Sequence, residues 1–107
     1  MEQLFKDQVD GLQEAHFLVL YWVTTAEDRK LRYNITNCFD DLKSLRITRT
    51  KQTAAAVVEA LRALRFIDVR DEGNRRNIYI TAYGARALEA LVLRRAFAVK
   101  KSAFLEV

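Results

Sequence analysis

Residues 46–81 read RITRTKQTAAAVVEALRALRFIDVRDEGNRRNIYIT, and this stretch decides the fold. Its first half predicts a helix from Thr50 to Arg65, because it is rich in Ala and Leu and a threonine hydroxyl can cap its start. Apolar residues recur there at three- and four-residue steps, so this helix has one face for a core and one face left free. The apolar stripe comprises Ala54, Val57 or Val58, Leu61 and Leu64.

The second half of the stretch predicts a β-hairpin. The segments Phe66–Arg70 and Asn77–Thr81 are rich in β-branched and aromatic residues, which favour strands. Between them, DEGNRR contains Gly73 and Asn74, which are typical of a hairpin turn. A helix followed directly by a two-stranded hairpin is therefore expected.

Upstream of this stretch the sequence predicts three more helices. Residues 3–10 have helical spacing, and residues 13–25 open with good helix formers and then run apolar before a polar end. The second pattern fits a buried helix or a buried strand, and its length favours the helix. A short helix over 38–45 follows, with Asn37 as its N-cap and the acids Asp40 and Asp41 in its first turn, where the helix dipole favours negative charge.

Downstream, residues 85–105 predict a long C-terminal helix with two apolar stripes. One stripe is needed to pack the helix on its own domain. The second stripe would be exposed on a monomer, and exposed apolar patches of this kind mark interfaces. We therefore expect a homodimer whose interface includes Leu93, Phe97 and Phe104.

The order of helices followed by a hairpin and a last helix is the helix-turn-helix plan with a β-hairpin appended. The fold class predicted is mainly α with a small β-hairpin, a single winged helix-turn-helix domain over residues 1–107. Four stretches, GLQEAHFLVLYW, ITRTKQTAAAVVEALRALRFIDVR, DEGNRR and IYITAYGARALEAL, occur in this order. With them the chain resembles the winged-helix transcriptional regulators of the MarR type and related small archaeal DNA-binding proteins, from Gly11 to about Leu93.

This resemblance implies a dimeric regulator that binds double-stranded DNA, with the helix over 50–65 as its recognition helix and the hairpin as its wing. The chain departs from the family in two respects, a shorter wing and a first helix too short for a full share of the dimer interface. No acidic and aromatic cluster matches a phenolic-ligand pocket, so responsiveness to an effector is not carried over.

Charge is distributed unevenly along the chain, which has a net charge of +4. Residues 1–45 contain five Lys or Arg against eight Asp or Glu, whereas residues 46–107 contain thirteen against six. A basic half of this kind suits a polyanionic partner, because each phosphate neutralised by a cation releases condensed counterions.

The first turn of the predicted recognition helix offers hydroxyl, ammonium and carboxamide groups to base edges in the major groove. Small side chains one turn later let the backbone approach DNA and touch thymine methyl groups. The candidate base-reading residues are Thr50, Lys51, Gln52, Thr53, Ala55 and Ala56. The alternative is a helix cap followed by solvated surface, since capping alone accounts for Thr50.

Two further sets of residues suit the DNA backbone and flanks. Arg46 and Arg49, just before the helix, are candidates for phosphate contacts, or else simple solvated charges. At the wing tip, an arginine on a narrow hairpin can enter the minor groove or clamp phosphates. This second set is Asn74, Arg75, Arg76 and Asn77. The alternative for it is an exposed hairpin whose arginines pair with Asp71 or Glu72.

The sequence offers nothing for catalysis, so we expect neither an enzyme nor a cofactor. His16 is the sole histidine and Cys38 the sole cysteine, and together they cannot supply the usual ligand set of a metal site. His16 is expected in the core or an interface. Cys38 is either a small buried apolar residue or a thiol near a helix start that could bridge two subunits.

The longest apolar run, His16–Val23, is far short of the roughly 20 residues that cross a bilayer, and no export signal is visible. With one cysteine, a reducing cytoplasm is the expected compartment. Besides a sequence-specific regulator, two functions stay open: an architectural protein that coats DNA with low specificity, and a winged helix that binds protein.

Overall fold

The computed structural model of the chain describes residues 2–105. Within these residues it has five helices and one antiparallel two-stranded sheet, so the prediction of a mainly helical chain with a small hairpin is confirmed. This order is compatible with a winged-helix layout. The elements are α1 (Glu2–Asp10), α2 (Glu14–Asp28), α3 (Ile35–Ser44), α4 (Lys51–Ala63), β1 (Ile67–Glu72), β2 (Arg75–Ile80) and α5 (Ala82–Leu93).

Helix α2 is the centre of the core. Its residues 17–20, Trp22 and Val23 are buried, and α4, α5 and β2 pack against it. A helix that is apolar nearly all round needs neighbours on several sides, which explains the unbroken apolar run in the sequence. His16 is half-buried, and its Nδ1 accepts a hydrogen bond from the Gln13 backbone N–H at 3.0 Å, closing the start of the helix.

The hairpin has a tighter turn than DEGNRR suggests. The strands pair from Ile67 opposite Ile80 up to Glu72 opposite Arg75, so only Gly73 and Asn74 lie in the turn. Gly73 adopts a φ of +69°, a conformation that suits glycine. At its other end the hairpin is tied to the residues before α3, because the Ile78 N–H donates to the Tyr33 carbonyl at 2.8 Å.

Helix α5 packs with its backbone directly against the start of the hairpin. A Cβ placed on Gly84 would lie 1.9 Å from the carbonyl oxygen of Phe66, so only glycine permits this approach. Thr81 caps the helix by accepting a hydrogen bond from the Gly84 N–H at 2.9 Å. These contacts account for the Thr-x-x-Gly spacing in the sequence.

Helix α3 starts earlier than predicted. Its N-cap is Asn34, whose side chain accepts a hydrogen bond from the Asn37 N–H at 2.8 Å, while the Asn37 side chain accepts from the Asn34 N–H at 3.2 Å. Asn37 is therefore the reciprocal partner of the cap. The assignment of Asp40 and Asp41 to the first helical turn was wrong, and Asp41 is buried.

The prediction of one helix over 85–105 was wrong. Helix α5 ends at Leu93, and Arg95 turns the chain with a φ of +52°. The N–H groups of Arg95 and Ala96 close the last turn on the carbonyls of Val92 and Leu91, at 3.0 and 3.1 Å. This is a Schellman arrangement in which an arginine occupies the position that glycine usually takes, so no glycine or proline marked the end.

Residues 96–105, here called the C-terminal segment, return over α2 and α3 instead of extending the helix. The backbone carbonyl of Lys100 accepts a hydrogen bond from the Trp22 indole N–H at 2.8 Å. The ring of Phe97 packs at 5.7 Å from that of Phe17. Phe97, Phe104 and Leu105 thus pack on the chain's own core, whereas Val99 is exposed.

Candidate nucleic-acid interface

A tight reversal joins α3 to α4. Arg46 has a φ of +59°, and its N–H and that of Ile47 close the end of α3 on the carbonyls of Lys43 and Leu42, at 2.9 and 3.0 Å. Helix α4 then starts at its cap Thr50, whose hydroxyl oxygen accepts from the Thr53 N–H at 3.1 Å. Two helices and a short turn result, and the exposed Arg46 lies at the turn.

Helix α4 divides into the two predicted faces. Ala54, Val57, Val58 and Leu61 are buried, and Leu64, just beyond the helix, is half-buried. The first turn, with Lys51, Gln52 and Thr53, is exposed, as is Ala56, while Ala55 is half-buried. The hydroxyl of Thr50 is engaged as the helix cap, so Lys51 and Gln52 carry the free polar groups of this turn.

Several cations around this turn have no acidic partner. Within residues 2–105, neither an ion pair nor a carboxylate hydrogen bond involves Arg46, Arg49, Lys51 or Arg75. By contrast, Arg62 near the other end of α4 lies 3.6 Å from Glu59. Cations without an ion pair are therefore present at the start of α4 and at the hairpin tip, although Lys6, Arg65 and Arg95 elsewhere also lack one within residues 2–105.

The start of α4 and the side of α3 enclose a concavity of about 100 Å³. Phe39 and Ala54 supply apolar surface there, and Asp40 supplies a carboxylate. The remaining lining residues are Lys43, Thr48, Arg49, Thr50 and Lys51.

A second concavity, of about 200 Å³, lies between the N-terminal end of α3 and the hairpin tip. Asn34, Ile35 and Thr36 line it from α3, and Asn74, Arg75 and Arg76 line it from the hairpin. Arg76 is also 3.3 Å from Asp71 across the strands. Of the two wing-tip arginines, Arg75 is thus the one without an ion pair within residues 2–105.

Asn77 does not belong to this surface, and its assignment as a DNA contact was wrong. It is only 1% exposed. Its amide N–H donates to Glu72 Oε1 at 2.8 Å, and the Tyr79 hydroxyl donates to the same oxygen. Hydrogen bonds from Tyr79 and Asn77 hold the pKa of Glu72 below its usual range. Asn77 thus stabilises the hairpin close to its turn instead of facing a ligand.

The exposed face of α3 connects the two concavities. Thr36, Asp40 and Lys43 follow each other at four- and three-residue steps and are all exposed, so they lie along one side of the helix. Thr36 borders the hairpin-tip concavity, and Asp40 and Lys43 border the one at α4. The first turn of α4 and the wing tip therefore flank the same exposed face of α3.

Cys38 is fully buried, with 0% of its surface exposed. Burial, and after it the charge of Asp41, raises the pKa of the thiol to about 12. The prediction of a small buried apolar residue is confirmed. A disulfide between subunits through Cys38 is contradicted, because a buried, neutral thiol cannot reach a thiol of another subunit.

Sequence analysis missed the role of Asp41. This buried carboxylate accepts hydrogen bonds from the Tyr33 hydroxyl at 2.6 Å, from the Ser102 hydroxyl, and from the Phe104 N–H at 3.3 Å. It thereby joins α3 to the C-terminal segment. The sequence pattern does indicate that Asp41 is buried. Asp41 lies three residues after Cys38 and next to Leu42, on the face of α3 that carries the apolar residues.

Of the three predicted interface residues, only Leu93 remains available. Its exposed fraction is 76%, and that of its neighbour Val92 is 50%. Phe97 and Phe104 are half-buried against Phe17 and Tyr33. The second apolar stripe predicted for the last helix therefore does not form, and its loss removes Phe97 and Phe104 from the proposed dimer surface.

In the part of the chain that the structure describes, no group of His, Cys, Asp and Glu side chains is arranged to hold a metal ion. Among the same residues, no helix has the length and apolar character needed to span a membrane. Comparisons of this chain with protein-family models, with curated proteins and with solved structures found no match.

Proposed function

We propose that this chain is a winged helix-turn-helix protein that binds double-stranded DNA and acts as a sequence-specific transcription regulator. In this proposal the first turn of α4 enters the major groove. The hairpin tip contacts the flanking minor groove or its phosphates. The protein binds as a homodimer.

One observation carries the proposal. Cations without acidic partners lie at the start of α4 and at the hairpin tip, and both positions flank the exposed face of α3. Several arginines elsewhere are paired, as with Arg70 and Asp68 at 2.9 Å or Arg94 and Asp10. Unpaired cations on one side of a protein suit a partner that supplies many phosphates.

The chemistry of α4 suits base readout. An α-helix fits the major groove of B-DNA, where each base pair presents a distinct pattern of donors and acceptors. Gln52 can donate to and accept from adenine in a bidentate manner, and Lys51 can donate to guanine. Exposed Ala56 leaves room for the backbone to approach a thymine methyl group. Arg46 and Arg49 contact phosphates and set the register.

The experiment measures the binding of fluorescently labelled duplex DNA by anisotropy over a range of salt concentrations. We expect Lys51→Ala and Arg75→Ala each to weaken binding about three- to tenfold and to reduce the slope of log K against log salt by roughly one. Lys6→Ala is the matched control, because Lys6 is exposed on α1 and has no ion pair within residues 2–105.

Unchanged affinity and salt slope in both variants would contradict DNA binding through α4 and the hairpin tip, and a wild-type protein that binds no duplex would favour a winged helix that binds protein. Competition with random DNA distinguishes a sequence-specific regulator from an architectural protein. A regulator should prefer its selected site over random DNA by roughly 10³ or more at physiological salt, whereas an architectural protein should show little preference.

A further inference from the structure

One acidic side chain interrupts the basic surface. Asp40 is exposed on α3 and lines the concavity at the start of α4 together with Lys43, Arg49 and Lys51. Within residues 2–105 it forms neither an ion pair nor a hydrogen bond. Three cations thus line the same small space as a carboxylate that pairs with none of them.

Helix electrostatics do not account for this acid. α3 begins at Ile35, so Asp40 is the sixth residue of the helix. The favourable effect of the N-terminal dipole on an acid fades within the first turn. Its neighbour Asp41 is buried and joins the C-terminal segment, whereas Asp40 has no such structural partner. The Asp40 carboxylate is therefore available to a partner at the surface.

A carboxylate here disfavours phosphate and favours a hydrogen-bond donor. Like charges a few ångströms apart repel each other appreciably even in water. In the major groove, thymine O4 and guanine O6 and N7 are acceptors, so a carboxylate repels them as well. The amino groups of cytosine and adenine are the donors that remain.

An unpaired carboxylate suits the major-groove edge of cytosine better than that of adenine. Adenine presents its N7 acceptor beside its amino group, and this pair suits an amide side chain that both accepts and donates. Cytosine presents its amino group beside a carbon-bound hydrogen. A carboxylate bordered by the apolar surfaces of Phe39 and Ala54 matches that edge.

We propose, on the basis of the DNA-binding function above, that Asp40 is a specificity-determining residue: it accepts a hydrogen bond from a cytosine amino group in the major groove and penalises DNA that offers phosphate or a base acceptor there. Asp40 therefore lowers affinity for random DNA more than affinity for the selected site. The surrounding cations supply affinity, and this acid supplies discrimination.

The test uses the full-length protein and two duplexes of equal length and base composition. One carries the site selected by the wild-type protein from a random library, and the other carries a scrambled sequence. Asp40→Asn should bind the scrambled duplex about three- to tenfold more tightly. It should bind the selected duplex no more tightly, so the ratio of the two affinities falls at least about three- to tenfold.

Two further variants isolate the cause. Asp40→Glu keeps the charge but moves the carboxylate, so it should leave scrambled-duplex binding unchanged while weakening binding to the selected duplex. Asp7→Asn removes one exposed acid from α1 and is the matched charge control, expected to change neither affinity by more than about twofold. A selection repeated with Asp40→Asn should lose a cytosine preference at one position.

An equal gain on both duplexes would overturn the inference, because it would show general repulsion without readout. No change on either duplex would overturn it too. In both cases binding by the wild-type protein leaves the proposed function standing. Failure of the wild-type protein to bind either duplex at low salt would instead overturn the proposed function and this inference with it.

Discussion

Four helices end on a basic residue in the left-handed conformation. Lys30, Arg46, Arg65 and Arg95 have φ values of +58°, +59°, +65° and +52°. Glycine usually occupies this position, because a Cβ costs about 1 kcal/mol there. A cation partly offsets the cost through the dipole at the helix end, and at Arg46 the side chain also lies at the turn that the proposed function places on DNA.

The substitution Arg46→Gly separates these two roles. It should raise the free energy of unfolding by about 0.5–1 kcal/mol, because it relieves the left-handed conformation. It should also weaken DNA binding, because a phosphate contact is lost. Arg95→Gly is the matched control and should gain stability with unchanged affinity. Urea denaturation and anisotropy measure the two effects, and equal DNA affinity in both variants would remove Arg46 from the interface.

Two buried ionisable side chains, the thiol of Cys38 and the hydroxyl of Tyr33, should make the stability of the folded protein sensitive to alkaline pH. Burial raises the pKa of Cys38 from 9.0 to about 12 and also raises that of Tyr33. Both groups stay neutral in the folded state, so their contribution to stability is full below about pH 9. It is lost as pH rises towards 12, because the unfolded chain releases these protons first.

Cys38 alone should therefore lower the free energy of unfolding by about 2 kcal/mol between pH 8 and pH 10.5. Urea denaturation at the two pH values measures this loss. In Cys38→Ala the loss between the two pH values should be smaller by that amount, whatever the substitution does to stability at pH 8. An identical loss in both proteins would show that the thiol ionises normally in the folded state.

For the helices and strands, the periodicity of apolar residues predicted which faces are buried, and the packing of the structure confirms those faces. The periodicity did not predict the positions at which the chain reverses. The cap Thr50 and the buried stripe of α4 followed from residue types alone. The end of α5 did not, because Arg95 occupies a position where glycine would have signalled a stop. Asn77 lies in a strand next to exposed arginines, so the sequence suggested that it is exposed too. Its hydrogen bond to Glu72 across the hairpin explains why its side chain is buried.

The C-terminal segment should contribute to stability through its bond to Asp41. Ser102→Ala removes a donor to a buried carboxylate, so we expect a loss of about 1–3 kcal/mol. Ala103→Ser, at an exposed neighbour, should change stability by less than about 0.5 kcal/mol. Fluorescence of Trp22, the only tryptophan, reports unfolding and the contact with Lys100. Equal denaturation midpoints for the two variants would contradict this role of the segment.

For the whole molecule, the proposed dimer would have a smaller apolar surface than the sequence predicted. Leu93 and Val92 remain exposed on α5, and a DNA-bound dimer would set two α4 helices about 34 Å apart. We expect Leu93→Glu to shift sedimentation-equilibrium mass from dimer towards monomer. Leu31→Glu, at another exposed leucine, is the control. A wild-type protein that stays monomeric at high concentration would contradict the dimer.

The central claim is that the start of α4 and the hairpin tip together bind DNA. Nuclear magnetic resonance of the ¹⁵N-labelled chain, titrated with duplex DNA at low salt, tests it residue by residue. We expect the amide signals of residues 49–56 and 73–76 to shift, while those of α1 stay in place. Shifts confined to α1 and α5, or no shifts at all, would contradict it.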